Sequence, residues 1–267
     1  MRNSMCRPAG TFGRLLSGAP LFAGMVWLSG CASLPLGHSP DAAVQRQRDL
    51  RQASRLRGLP MKGELAIERE SQDRLVQGLA AELEKPENKA FLDSTGLLLQ
   101  QLRVIRKEED LKPLFLKVMG QQVAAYYDPE KKRVAYVEGA ARALTNSASL
   151  PIMDRFVYVH EFCHAVEDSN FDIERLTRES LCDFDRNLAV TSLIEGDAML
   201  VGMDSLFAGS PGNTATPFGS FVVSLVGRMD VSDEMETMGD CPAFLCGALV
   251  RPYLDGAIFS NRIRREA

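Results

Sequence analysis

The run from Phe156 to Val166, with Val157, Tyr158, Val159, Phe162, Cys163 and Ala165 between, is apolar on nearly every face of a helix, yet three ionisable side chains, His160, Glu161 and His164, are set into it. A helix that is apolar all round belongs in a core. A glutamate buried between two histidines is costly unless something compensates it. The pattern is His-Glu-x-x-His. Positions four apart stand side by side on a helix, so His160 and His164 can share one metal ion, and zinc suits that donor set. Glu161 then projects beside them, placed to take a proton from water and pass it to a leaving amine. The competing interpretation is a pair of satisfied core histidines. The histidine census opposes it, since the chain has only three and the third, His38, lies in the N-terminal linker.

A catalytic zinc keeps three protein ligands and one open position. With histidine exhausted, the third must be a carboxylate, and Glu167, Asp168, Asp172, Glu174, Glu179, Asp183, Asp185, Glu195 and Asp197 are the candidates. Glu195 is preferred. It follows Leu188, Ala189, Val190, Leu193 and Ile194, and its helical face carries Thr191, Ser192, Ala198, Met199 and Gly202, small enough for close helix packing. Asp197 is turned about 200° from it. Asp183 and Asp185 read either as acceptors for a ligand imidazole or as solvated charges at a helix start. Cys163 projects off the face shared by the histidines and reads as a core or disulfide residue.

Around this motif the periodicities predict an α+β, predominantly helical fold. Residues 44–120 form a helical lead-in, with Leu75, Leu79 and Leu83 at four-residue steps and an apolar patch at Leu97, Leu98, Leu99 and Leu102. Short Val/Ala/Tyr runs at 122–127 and 133–137 flank Asp128-Pro129-Glu130-Lys131-Lys132, which predicts a β-hairpin over 121–138. Helices are expected at 151–167, 182–204, 218–229 and 243–262, with a loop at 207–217, so residues 121–267 make the core that carries the chemistry.

The N-terminus reads as an address. Arg2, Arg7 and Arg14 precede an apolar stretch, Leu15 to Leu28, too short to span a bilayer, and Leu28-Ser29-Gly30-Cys31 looks like a bacterial lipobox. Residues 1–30 are expected to leave as a signal peptide, Cys31 to carry lipid, and 31–43 to be a tether; a plain signal peptide with an incidental cysteine is the alternative. In the lipoprotein resemblance, Ala32 implies the outer membrane facing the periplasm. Cleavage after Gly30 moves the net charge from −4 to −7, which excludes a nucleic-acid partner. Cys163, Cys182, Cys241 and Cys246 remain in an oxidising compartment, and three pairings are open.

His160 to His164 followed by Glu195-Gly196-Asp197-Ala198 resembles the gluzincin class of zinc metallopeptidases. More closely, Tyr126-Tyr127-Asp128-Pro129, then HEFCHAVEDSNFDI, then EGDA is similar to a bacterial group of secreted and lipoprotein gluzincins written GfYDp, HELxHALQDQxFDL and EGDA. The chain departs from that pattern at Phe162-Cys163 and at Glu167-Asp168-Ser169. The resemblance follows element order over residues 55–260 and is specific over 121–200. It implies a zincin-like core with a small sheet beside the metal helix, one zinc ion on His160, His164 and Glu195, and Glu161 as general base. It also implies a peptide or protein substrate laid along the hairpin edge. The oxyanion then needs a donor, for which Tyr253, in a segment similar to the family's Pro-Tyr-x-x-Gly-x-x-Phe, is the candidate and Arg251 the alternative. The family continues beyond this element, which implies that part of its substrate cleft lies outside this chain. The expectation is a lipid-anchored zinc peptidase of the cell envelope; the alternative is a non-catalytic envelope lipoprotein that uses the same architecture as a binding module or scaffold.

Overall fold

A computed structural model describes residues 40–107, 110–137, 151–180, 183–207 and 243–266. The expected signal peptide, Cys31, the tether up to Ser39, the loop at 207–217 after its first residue and the helix at 218–229 lie outside the described residues, whereas Pro40–Ala43 of the tether and Phe207 of the loop belong to helices. The described chain is mostly helical with one three-stranded sheet: α1 (Pro40–Arg57), β1 (Ala66–Glu70), α2 (Gln72–Leu83), α3 (Pro86–Gln101), α4 (Leu111–Gln122), β2 (Ala125–Asp128), β3 (Arg133–Val137), α5 (Pro151–Phe171), α6 (Ile173–Ser180), α7 (Phe184–Phe207) and α8 (Ala243–Glu266). Among the described residues no helix is long and apolar enough to cross a membrane.

The lead-in divides because its local signals change. Ser71 caps α2, its side chain accepting from the Arg74 N–H at 3.3 Å, and Leu75, Leu79 and Leu83 form the buried stripe that their spacing requires. Pro86 opens α3 where its missing N–H costs nothing, and Asp110 caps α4 by accepting from the Lys112 N–H at 2.9 Å. Of the Leu97, Leu98, Leu99 and Leu102 patch only Leu99 is buried. The expectation of a purely helical lead-in fails at Ala66–Glu70. This segment pairs in parallel with β3, Ala66 opposite Arg133 through Glu70 opposite Val137.

The hairpin forms as expected, but β2 begins at Ala125 because α4 runs on to Gln122. Asp128 makes the turn: its Oδ1 accepts from the N–H groups of Glu130 and Lys131, each at 3.1 Å, and Lys132 closes it in the left-handed region at φ 48°. The strand order is β1-β3-β2.

One core joins the sheet to α1, α5 and α7 through Ala53, Tyr127, Val134, Phe162, Cys163, Ile194 and Val201. A second lies where α5, α7 and α8 meet, at Phe156, Met199, Leu200, Met203, Tyr253 and Ala257. A third fills the α2–α4 bundle and reaches Val137, Leu249 and Val250. Helix α7 therefore lies against both α5 and α8, and α1 lies against α5 and α7. Cys163 is a buried free thiol, so none of the three complete four-cysteine pairings is realised. Cys182, Cys241 and the side chain of Cys246 are outside the described residues.

Candidate metal centre

Helix α5 carries His160 and His164 one turn apart, and α7 brings Glu195 to the same point from a segment thirty-one residues further along the chain. Their donor atoms form a small triangle. His160 Nε2 lies 3.1 Å from His164 Nε2 and 3.2 Å from Glu195 Oε2, and His164 Nε2 lies 3.3 Å from the same oxygen. All three side chains are completely buried and form a group able to hold a metal ion.

The triangle fits zinc. Ligands held tetrahedrally at about 2.0–2.1 Å from one ion are separated by about 3.3 Å, and the observed separations are within a few tenths of that value. Two imidazoles and one carboxylate are the donor set of an open zinc site, and Glu195 Oε1 has no hydrogen-bond partner although it is buried. Burial alone would push both histidines down. It prevails at His160, whereas at His164 burial is outweighed by the charge of Glu195 and the hydrogen bond that the ring donates to Glu167, which carry the imidazole well above its ordinary value. Glu195 is opposed by burial but held below the usual carboxylate range by the two imidazoles.

The other acids have separate employment. Asp172 caps α6 through the Arg175 N–H at 3.2 Å, Glu174 faces Arg178, Glu179 pairs with Arg175, and Asp197 pairs with Arg57. Asp183 caps α7 through the Arg186 N–H at 3.0 Å, and both it and Asp185 are exposed, so of their two interpretations the helix-start charge holds. The acceptor beside a ligand imidazole is Glu167, whose Oε2 lies 3.4 Å from His164 Nδ1. A proton on Nδ1 leaves Nε2 free to ligate. Sequence reasoning weighed Glu167 only as a ligand; its i+3 spacing from His164 is the signal for this orienting role. Asp168 ties the metal helix to the hairpin, its Oδ2 accepting from the Tyr127 hydroxyl at 2.7 Å and from Lys132 Nζ at 2.6 Å.

Glu161 is completely buried, and its charge reaches both His164 and Tyr253. Tyr253, also buried, lays its ring beside that of His160, centroids 6.0 Å apart and planes inclined by 25°. Burial and the charges of Glu195 and Glu161 push its hydroxyl well above the ordinary tyrosine value, so it stays protonated as a donor. Arg251 is exposed and pairs with Asp255 at 3.4 Å, away from the cluster.

What brings Tyr253 there is a contact between α7 and α8. A methyl group on Gly196 would overlap the Gly256 carbonyl, and one on Gly256 would overlap the carbonyl of Ser192. The strand that precedes α5 does not offer a free edge. β3 is paired on both sides, so the outer edge of the hairpin is β2.

Comparison with known proteins finds no matching family model, no matching curated protein and no matching solved structure.

Proposed function

We propose that this chain is a zinc-dependent peptidase of the gluzincin type, tethered to the cell envelope by lipid on Cys31. The observation that carries the proposal is the buried triangle of His160 Nε2, His164 Nε2 and Glu195 Oε2, with Glu161 following His160 on the same helix. Zinc on these ligands would supply Lewis acidity toward water and toward a substrate carbonyl. Glu161 accepts the proton that an attacking water releases and returns it to the departing nitrogen. The Tyr253 hydroxyl, kept protonated, donates to the oxygen on which negative charge develops. Glu167 holds His164 in the tautomer that leaves Nε2 as a donor atom.

The complete burial of His160, Glu161, His164 and Glu195 favours a second reading, an envelope lipoprotein that uses this architecture as a binding module without turnover. One experiment separates the two. Purified wild type and Glu161→Gln are analysed for zinc and assayed on casein. The peptidase reading expects stoichiometric zinc in both and a loss of cleavage of about 100-fold or more in the variant. Equal inertness with full zinc supports the binding module, and a wild type without zinc removes the peptidase reading.

A further inference from the structure

We infer that Arg57 is a positioning residue of the metal site, its guanidinium bracing one carboxylate from each of the two helices that supply the ligands, Glu167 on α5 and Asp197 on α7. The inference rests on the metal reading above and concerns an element, α1, that supplies no ligand.

Arg57 Nε forms an ion pair with Asp197 Oδ2 and lies 4.0 Å from Glu167 Oε1. The other oxygen of Glu167 faces His164 Nδ1 at 3.4 Å. A continuous path therefore runs from the guanidinium through Glu167 to a ligand imidazole. On α7, Asp197 is two residues beyond Glu195 and projects about 200° around the helix from it. Holding both residues fixes the rotation of α7 about its axis, which in turn aims Glu195 at the histidines.

Glu167 is buried and faces Asp197 of α7 as well as His164, so Arg57 stands where the two helices that carry the cluster meet. Both contacts are ion pairs made by Nε, so the charge of the guanidinium carries the brace. The local chain delivers Arg57 to this point. Gly58, at φ 75°, ends α1 directly after it, with the Gly58 and Leu59 N–H groups donating to the Ser54 carbonyl at 3.0 and 3.1 Å. The guanidinium carbon also lies 6.0 Å from the centre of the Phe171 ring at the end of α5.

The middle of α1 supplies the control. There Arg155 of α5 reaches Asp49 at 3.4 Å and bonds Gln52, docking the same helix without touching Glu167 or Asp197. The test uses the full chain in detergent, with zinc affinity measured by competition against a chromophoric chelator and the visible spectrum recorded with Co2+ in place of zinc. Arg57→Met is expected to weaken zinc binding by about 10- to 100-fold and to alter the Co2+ bands. Arg57→Lys should recover part of the loss. Arg155→Met should lower Tm yet leave affinity and spectrum at wild-type values. Should Arg57→Met not fold, Asp197→Asn, which keeps shape and removes the charge, must show the same loss. The inference is overturned if these brace variants bind zinc within twofold of wild type with unchanged Co2+ spectra, or if Arg155→Met weakens binding equally. A wild type that binds neither ion overturns the metal reading and this inference together; normal wild-type binding with unaffected brace variants overturns this inference alone.

Discussion

Gly196 and Gly256 meet where α7 crosses α8, so closely that a side chain on either would overlap the backbone of the opposing helix. Gly196 follows Glu195, and Gly256 is three residues beyond Tyr253, so this one crossing sets both residues against His160. Alanine at a helical glycine ordinarily gains up to about 1 kcal/mol from propensity. Here backbone must move to admit the methyl, and Gly256→Ala should destabilise by about 3 kcal/mol or more, with the Glu195 side of the metal site displaced. Urea unfolding together with zinc stoichiometry checks both consequences; a variant as stable as wild type would mean that the helices are further apart.

The two helices that bring His160, His164 and Glu195 together were legible because their pattern admits little else. Phe156, Val159, Phe162, Cys163, Ala165 and Val166, together with His160, Glu161 and His164, leave the middle of α5 no solvent face, and all nine are buried. Glu195 was preferred over eight other acids because small residues on its face, Ser192 and Gly202 among them, announce a close helix contact, which the structure places at α8 and at the Phe156 ring. β1 was not legible. Ala-Ile-Glu-Arg-Glu has the charge density of a solvent helix, and the reason it is a strand lies sixty-seven residues away in β3, where Arg133 bonds Glu68 at 2.7 Å and faces Glu70 at 3.3 Å. Arg57 was hidden for the same reason. Its role depends on two helices that return to it more than a hundred residues later, and no local spacing encodes that.

Asp168 should prove the costliest acid outside the metal triangle. It accepts from Tyr127 and Lys132 through Oδ2 and from the Ile173 N–H through Oδ1 at 3.1 Å, thereby joining the hairpin, α5 and the start of α6. Asp168→Ala leaves the buried Tyr127 hydroxyl without its acceptor and is expected to cost about 2–4 kcal/mol. Tyr127→Phe removes the donor as well as the need, and should cost about 1 kcal/mol. Midpoints of urea unfolding for the two variants test the order, and a loss in Tyr127→Phe as large as that in Asp168→Ala would contradict it.

The pair between α7 and α8 at Asp204 and Arg264 makes stability depend on pH in a defined direction. Burial raises the Asp204 carboxyl above its ordinary value, against the opposing pull of Arg264 at 2.7 Å. A raised folded-state pKa means that the folded chain holds the proton more tightly than the unfolded chain. Its contribution is therefore largest at low pH and is lost as pH climbs from the ordinary aspartate range to the raised value. Asp49, raised by burial against Arg155, acts in the same sense. In chelator, wild type should lose stability across that window relative to Asp204→Asn, whose profile is flatter. A difference between the two that stays constant with pH would contradict the assignment.

Removal of the metal gives the sharpest separation of the site from the scaffold. An ion that binds only the folded chain stabilises it by RT ln(1 + [L]/Kd), about 2.7 kcal/mol at one hundred times Kd. Chelation should therefore lower the Tm of wild type, and restoring zinc should return it. Glu195→Gln and His164→Ala each delete one corner of a triangle whose sides are 3.1–3.3 Å. Their Tm should be nearly indifferent to chelator, at whatever level the substitution itself sets. Arg251→Ala changes only an exposed pair with Asp255, so it should show the full wild-type response. Scanning calorimetry with and without chelator reads all of these. A wild type whose Tm ignores the chelator, in protein shown to have been loaded, would separate zinc binding from folding and leave the ligand triangle without its energetic role.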